Sequence, residues 1–265
     1  MLGLALSGGG ARGIAHLGVL AALDELELPI SHLAGVSSGA IAATFYAAGV
    51  PPREILRLFQ EVSLTQLTRI SLSRYGLLRI DGVGQLFEQH LGAESTFEQL
   101  RLPLTLVATD IIEGTSVHFS DGPLIPPLLA SSAVPVLYRP VVYQGRHLVD
   151  GGLLMNLPTA ALLDKPGLRV VGVHCNPPHR EARIASLRGL IERTLNLVVG
   201  ANTVVSKQHC DLLLEPPELG DYRMMHYKRA PELFDIGYRY TLSRAPELRA
   251  LLREPHPGGA SASIL

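Results

Sequence analysis

Short apolar runs alternate with helical patterns from the start of the chain. Leu2 to Leu6 is an apolar run of strand length, and Ile14 to Leu28 then places its leucines on one helical face. The same order of strand, glycine-rich turn and helix recurs with His32 to Gly35 and Ala40 to Ala48. Two consecutive units of this kind predict an α/β fold whose first strands lie parallel.

Further strands and helices alternate along the rest of the chain. The remaining predicted strands are Leu104 to Ala108, Arg139 to Tyr143 with His147 to Val149, Val170 to His174, and Leu212 to Leu214. The remaining predicted helices are Pro52 to Phe59, Leu86 to Leu91, Leu124 to Ser132, Thr159 to Leu163, and Ile184 to Val205. Together these elements predict three α/β/α layers around a central, mostly parallel sheet.

The sequence shows no internal boundary between domains. No linker or charged block divides it, so we expect a single domain over residues 1–253 and a flexible tail over residues 254–265. Ser63 to Gly84 has no regular period and is interpreted as a loop or cap. The sequence Arg-Ala-Pro-Glu-Leu begins at Arg229 and again at Arg244, and its proline and acid are typical of a helix start.

Composition and charge exclude several classes of protein. The 23 Lys and Arg residues nearly balance the 24 Asp and Glu residues, which gives no reason to expect a nucleic acid partner. The first apolar run ends at Ser7 and lacks a basic start, unlike a secretion signal. Cys175 and Cys210 are too few for a disulfide framework and favour a reducing compartment. We therefore expect a soluble, cytoplasmic protein, and no protein partner is indicated.

A glycine-rich turn, Gly8-Gly9-Gly10-Ala11-Arg12-Gly13, directly follows the first strand. Unpaired backbone N–H groups at such a helix start favour an anion. The spacing of Gly8, Gly10 and Gly13 also fits a dinucleotide fingerprint. That hypothesis requires an acidic residue at the end of the next strand, and Leu33 to Val36 contains none. Nucleotide binding is therefore the weakest of the functional hypotheses.

A second turn, Gly35-Val36-Ser37-Ser38-Gly39, has the G-x-S-x-G pattern of a nucleophile elbow. Gly35 and Gly39 leave room for close backbone neighbours, and the turn raises the Ser37 hydroxyl at a helix N-terminus. A serine that merely caps the helix is the plain alternative. The neighbouring glycine turn favours catalysis, because it places an anion site and a nucleophile at the same edge of the sheet.

A serine nucleophile needs a base. A histidine triad in the α/β-hydrolase order is disfavoured, because only one strand unit precedes Ser37. Asp150 is the better candidate, since it ends a strand and is followed by Gly151 and Gly152, which allow another backbone to approach. Asp110 is a reserve base, although an anchor for its own loop is the commoner role of such a residue.

These residues resemble the patatin-like lipid acyl hydrolases, which use a Ser-Asp dyad without histidine. The resemblance covers most of the chain and includes Ala130 to Pro135 as a structural segment, and Asn156 and Pro158 fit it as well. Ser7 departs from those members that carry Asp before the glycines. The resemblance implies a patatin-like fold, hydrolysis of phospholipid or lysophospholipid acyl esters, and no cofactor. Its implied site comprises Ser37 and Asp150 as catalytic residues, Gly8, Gly9 and Gly10 as the oxyanion hole, and Arg12, Gly13, Gly35, Gly39, Gly151 and Gly152 as supporting residues.

Three further interpretations stay open at this point. Arg12 either fixes the glycine turn or meets a substrate phosphate. Arg223 to Arg253 mixes basic and aromatic residues, which predicts either an inward-packing helical wall or a peripheral contact with an anionic membrane. A non-catalytic ligand-binding or regulatory module on the same scaffold is the alternative function. No metal is expected, because the spacing of His174, Cys175, His179, His209 and Cys210 fits no compact ligand pattern.

Overall fold

The computed structural model describes residues 1–61, 69–70, 78–178, 186–224 and 226–253. The strands are β1 (Leu2–Leu6), β2 (Ile30–Gly35), β3 (Arg69–Ile70), β4 (Leu78–Arg79), β5 (Leu104–Asp110), β6 (Thr115–Phe119), β7 (Val141–Tyr143), β8 (Arg146–Asp150), β9 (Arg169–Val173) and β10 (Leu212–Leu214). The α-helices are α1 (Ala15–Glu25), α2 (Ser38–Ala47), α3 (Pro52–Glu61), α4 (Asp81–Leu91), α5 (Ile125–Ser131), α6 (Leu187–Gln208), α7 (Ala230–Ser243) and α8 (Ala245–Arg253).

A mixed eight-stranded sheet forms the centre of the fold, in the order β10-β9-β1-β2-β5-β8-β7, with β6 also paired to β5. The five strands from β10 to β5 are parallel to one another. Both β6 and β8 run antiparallel to β5, and β7 is antiparallel to β8. The predicted sheet is therefore confirmed as mostly parallel, and β3 and β4 form a separate hairpin.

Successive side chains of the central strands point to opposite faces of the sheet, so the core has two layers. Leu4 and Leu6 face the larger apolar cluster, which includes buried residues of α1, α2 and α7. Ala5 and Ala34 face a smaller cluster on the other side of the sheet, together with Leu157. Helix α6 contacts the 3₁₀ turn Thr159–Leu162 on that second side, where the Thr159 hydroxyl group donates to the carbonyl group of Ser206. This arrangement confirms the three-layer α/β/α architecture that the sequence predicted.

Two glycines bring α1 and α7 into backbone contact. A Cβ atom added at Gly18 of α1 would overlap the carbonyl oxygen of Phe234, and one added at Gly237 of α7 would overlap that of Ala15. The two helices can approach this closely only because neither position has a side chain. The two helix starts predicted from the repeated Arg-Ala-Pro-Glu-Leu sequence are also confirmed, since α7 begins at Ala230 and α8 begins 15 residues later.

Several predicted boundaries were wrong. Helix α4 begins at Asp81, within the segment Ser63 to Gly84 that was interpreted as a loop, and β3 and β4 lie in that segment too. A 3₁₀ turn over Gly10–Ile14 precedes α1, and the predicted helix over Thr159 to Leu163 is a short 3₁₀ turn. Strand β6 was missed. The rest of Ser63 to Gly84 and the predicted tail lie outside the described residues.

One edge of β5 positions the candidate site. Leu106 pairs with Gly35 of β2 on this edge, and Ala108 pairs with Asp150 of β8. Leu106 and Ala108 both pair with β6 on the other edge of β5, so β2 and β8 lie one after the other along the same edge. The end of β8 therefore meets the turn that follows β2. None of the described helices is long and apolar enough to span a membrane.

Candidate active site

Ser37 lies on a strained turn between β2 and α2. Its φ of 54° and ψ of −123° fall in a region that residues with a side chain rarely adopt. A Cβ atom added at Gly39 would overlap the carbonyl oxygen of Leu6, and one at Gly35 would lie 2.7 Å from the Cα atom of Ala40. The two flanking glycines thus let the elbow pack directly against β1 and against the first turn of α2.

Asp150 ends β8 beside this elbow, and its carboxyl group lines the same pocket as the side chain of Ser37. The N–H group of Gly152 donates to Oδ1 of Asp150, at 2.8 Å. Burial raises the pKa of Asp150 to about 6, although the side chain of Ser37 and the N–H group of Gly152 favour the ionised form. A carboxyl group with this pKa is largely ionised at neutral pH and is still basic enough to accept a proton.

The segment Ala130 to Pro135 holds the serine and the aspartate together. The Oγ atom of Ser131 accepts a hydrogen bond from the N–H group of Ser37 at 3.0 Å and donates one to the carbonyl group of Val107 at 2.7 Å. The carbonyl group of Ala133 accepts a hydrogen bond from the N–H group of Asp150 at 2.9 Å. The sequence identified this segment only as structural, and these contacts show which backbone groups it fixes.

The glycine turn faces the elbow, but its three candidate N–H donors are not equivalent. The N–H group of Gly8 donates to the carbonyl group of Asn156 at 3.2 Å, and Ala11 donates to the carbonyl group of Met224 at 2.8 Å. Within the described part of the chain, the N–H groups of Gly9 and Gly10 have no recorded acceptor. Gly9 also lines the pocket that contains Ser37 and Asp150, so its N–H group is the donor best placed to meet a ligand.

Arg12 lies behind the turn rather than in the pocket. Its Nη2 atom donates to the side-chain oxygen of Asn176 at 2.5 Å and to that of Asn196 at 3.2 Å. The Asn176 side chain in turn donates to the carbonyl group of Gly8 at 2.5 Å. Arg12 thus braces the glycine turn through Asn176, which agrees with the first of its two interpretations. Gly13 allows the turn to pack against Ser38 of the elbow.

A side chain of α6 connects two catalytic loops. The Oδ1 atom of Asn202 accepts a hydrogen bond from the N–H group of Asn156 at 3.0 Å, and its Nδ2 atom donates to the carbonyl group of Gly152 at 2.9 Å. Asn202, Asn176 and Asn196 were not predicted from the sequence. Asn196 and Asn202 interrupt the mainly apolar stretch 195–205 of α6, and that interruption is the signal that could have found them.

The elbow, the aspartate and the glycine turn line one pocket. Its apolar wall is formed by residues after α5, beside Gly152 and on α6, together with Met224. These residues are Val134, Pro135, Leu153, Leu195, Val198, Val199 and Met224. An apolar pocket with a few convergent polar groups is typical of a ligand site. Here the polar groups are those of Ser37, Asp150 and the glycine turn, together with Asn156, Asn176 and Asn196.

The reserve base and the cysteines have other environments. Asp110 accepts hydrogen bonds from the N–H groups of Ile112 and Glu113, at 3.1 and 3.2 Å, and therefore anchors its own loop. Cys175 packs against the buried ring of His16, whose pKa burial lowers to about 4. The described residues contain no cluster of three side chains that could hold a metal ion, and His179 lies outside them.

Known proteins are similar to this chain in sequence and in fold. The patatin-like phospholipase family model matches residues 4–163. Uncharacterized NTE family protein Rv1063c of Mycobacterium tuberculosis is 39% identical over 170 residues, which cover 60% of this chain and 44% of that protein. The chain thus spans less than half the length of this relative. Uncharacterized protein YqhO of Bacillus subtilis is 26% identical over 276 residues, covering 89% of this chain and 94% of YqhO.

Among solved structures, VipD from Legionella pneumophila has a similar fold. The TM-score is 0.64 at 17% identity, and the match covers 93% of this chain and 67% of VipD. The family match includes the glycine turn, the elbow, the segment Ala130 to Pro135 and Asp150. On the strength of that match, this chain belongs to the patatin-like phospholipase family.

Proposed function

We propose that the protein is a serine hydrolase that cleaves fatty-acyl esters of phospholipids or lysophospholipids. The observation that carries the proposal is that Ser37, on its strained elbow, lines one pocket with the buried Asp150, whose ionised carboxyl group it favours. The apolar wall of the pocket suits an acyl chain. We assign the reaction to residues 1–253 as one catalytic domain.

The first chemical step forms an acyl-enzyme. Asp150 accepts the hydroxyl proton of Ser37 while Oγ attacks the ester carbonyl carbon. The negative charge that develops on the carbonyl oxygen is stabilised by the N–H groups of Gly9 and Gly10. When the ester bond breaks, Asp150 returns the proton to the departing alcohol, which is the glycerol-containing part of the lipid.

The second step releases the fatty acid. Water gives a proton to Asp150 as its oxygen attacks the acyl carbon, and the glycine turn again holds the oxyanion. Collapse of this intermediate breaks the bond to Ser37, whose Oγ takes the proton back from Asp150. The fatty acid leaves, and the free hydroxyl group and carboxylate are restored.

Hydrolysis of a soluble short-chain ester and of a lysophospholipid tests the proposal. Ser37→Ala and Asp150→Asn should each lower kcat by at least about a thousandfold, because the two side chains act as one unit. Ser132→Ala and Asp110→Asn are matched controls that remove a nearby serine and the reserve carboxylate, and they should retain activity. Full activity of Ser37→Ala would contradict the mechanism, and absence of turnover by the folded wild type would favour the non-catalytic module.

A further inference from the structure

The outer face of α6 is apolar where solvent-facing helices are ordinarily charged. Its most exposed apolar side chains are 47% to 74% exposed, namely Leu187, Leu190, Leu197, Val204 and Val205. The other exposed residues of α6 are Thr194, Gly200, Ala201 and Gln208. Among the described side chains of this helix, no exposed one is charged. A surface helix normally directs its polar side chains toward solvent, so this face lacks the charged side chains expected there.

The exposed apolar residues form a continuous stripe. Leu190, Leu197 and Val204 follow one another at intervals of about two helical turns, which places them in a line along the helix. The opposite side of α6 contributes Leu195 and Val199 to the pocket. One helix therefore presents an apolar stripe to the outside and an apolar wall to the candidate active site.

Two other segments carry exposed apolar residues next in sequence to residues that line the same pocket. Val136 is 51% exposed and directly follows Pro135, which lines the pocket. Leu154 is 40% exposed and directly follows Leu153, which also lines it. Val136 has a φ of 72°, a strained conformation for a β-branched residue. Three separate segments thus combine exposed apolar side chains with residues that line one pocket.

We propose that the outer face of α6, with Val136 and Leu154, docks onto the surface of a phospholipid bilayer and turns the pocket mouth toward the lipid. This inference rests on the proposed function, since a phospholipid acyl ester resides in such a surface. The most exposed of the described side chains on this face carry no charge, so they fit the acyl and interfacial region of the bilayer through apolar burial. Binding should therefore occur on zwitterionic phosphatidylcholine and change little with salt.

The basic C-terminal segment offers a poorer membrane contact than this face. Its aromatic residue Phe234 is buried against α1, and three of its arginines pair with acids on the same helices. The pairs are Arg229 with Glu232, Arg239 with Asp235, and Arg244 with Glu247. The structure thus agrees with an inward-packing wall for this segment, and the apolar contact surface lies on α6.

A single tryptophan reports on the docking face directly, because the chain contains no tryptophan of its own. Leu197→Trp is made in a Ser37→Ala background, so that hydrolysis cannot alter the vesicles. With phosphatidylcholine vesicles, its emission should shift to the blue and be quenched by lipids brominated on their acyl chains. Leu163→Trp is the control, because Leu163 is also exposed, at 49%, but lies away from the proposed docking face. Its neighbour Leu162 lies with His32 and Leu104 near the amino ends of the strands. A response of Leu163→Trp alone, or of neither variant, would overturn the proposal.

Vesicle flotation measures the contribution of the native side chains. In the Ser37→Ala background, the double substitution Leu197→Gln and Val204→Gln should weaken partitioning by at least about tenfold, because it removes two apolar anchors. Leu163→Gln should bind as the parent does. Unchanged binding of the double variant would overturn the proposal. A parent protein that is dimeric, with a double variant that is monomeric, would also overturn it, because the stripe would then join two copies of the chain. Binding is scored without turnover, so its failure is distinct from a failure of the hydrolase assignment.

Discussion

The ionisation of Asp150 governs the chemistry at the scale of single residues. Burial of this carboxyl group opposes its charge, while Ser37 and the N–H group of Gly152 favour it. The balance leaves a base whose pKa of about 6 lies well above the usual range for aspartate. The proposed base is thus tuned by its surroundings, and the proposed mechanism requires no histidine.

The first prediction concerns the pH dependence of hydrolysis. Asp150 is active as a base only when ionised, so kcat/KM should rise with pH through an apparent pKa of about 6 and level off above pH 7. A soluble ester assayed between pH 4.5 and 8.5 provides the measurement. Activity that stays constant down to pH 4.5 would show that this carboxyl group is not the base.

The same pKa predicts an effect on stability. A carboxyl group whose pKa is higher in the folded than in the unfolded state stabilises the folded protein more when it is protonated. This contribution to the free energy of unfolding is complete below about pH 4 and is lost as pH rises through about 6. The linked cost approaches about 3 kcal/mol at pH 8, since each unit of pKa corresponds to about 1.36 kcal/mol. Asp150→Asn removes this cost, so its free energy of unfolding should rise relative to the wild type between pH 4 and pH 8. Urea unfolding at several pH values tests this, and a pH-independent difference would contradict it.

At the scale of elements, close helix packing depends on individual glycines. Gly18→Ala should destabilise the protein by about 2 to 3 kcal/mol, because the added methyl group would overlap the backbone of α7. Gly200→Ala is the matched control in α6, where an added Cβ meets nothing within 4 Å. That substitution should instead stabilise by about 0.5 to 1 kcal/mol. Thermal unfolding of both variants compares them, and equal shifts would refute the proposed packing.

Helix α6 is also expected to influence the site through Asn202. Asn202→Asp keeps the acceptor for the N–H group of Asn156 but loses the donor to the carbonyl group of Gly152. We expect kcat to fall about tenfold or more as the loop that carries Asp150 shifts, with a smaller change in KM for a soluble ester. Asn202→Ser, which keeps a donor and an acceptor, should recover part of kcat. Equal kcat values for the wild type and Asn202→Asp would show that the contact does not position the site.

The elements differ in how far the sequence could predict them. The parallel units around β1 and β2 follow from apolar runs and glycine turns, which are local signals. Strand β6 has a burial pattern with exposed and half-buried positions, so its short sequence lacked a continuous apolar run. The contact of Asn202 with Gly152 joins residues far apart in sequence, and no local pattern encodes it.

At the scale of the whole molecule, the sheet topology brings the motifs together. The elbow follows β2, Asp150 ends β8, and both strands pair with the same edge of β5. The sequence predicted these two residues because each lies in a short, recognisable turn. It could not predict that the N–H group of Gly8 is already bonded to Asn156, since that contact depends on the folded arrangement of distant loops.

The central claim is that Asp150 activates Ser37 as a nucleophile. Labelling with an active-site-directed fluorophosphonate, followed by peptide mapping, tests it most directly on the wild type, Ser37→Ala and Asp150→Asn. We expect a single modification at Ser37 in the wild type, none in Ser37→Ala, and labelling slowed by at least about a hundredfold in Asp150→Asn. Equal labelling rates for the wild type and Asp150→Asn, or modification at another serine, would contradict it.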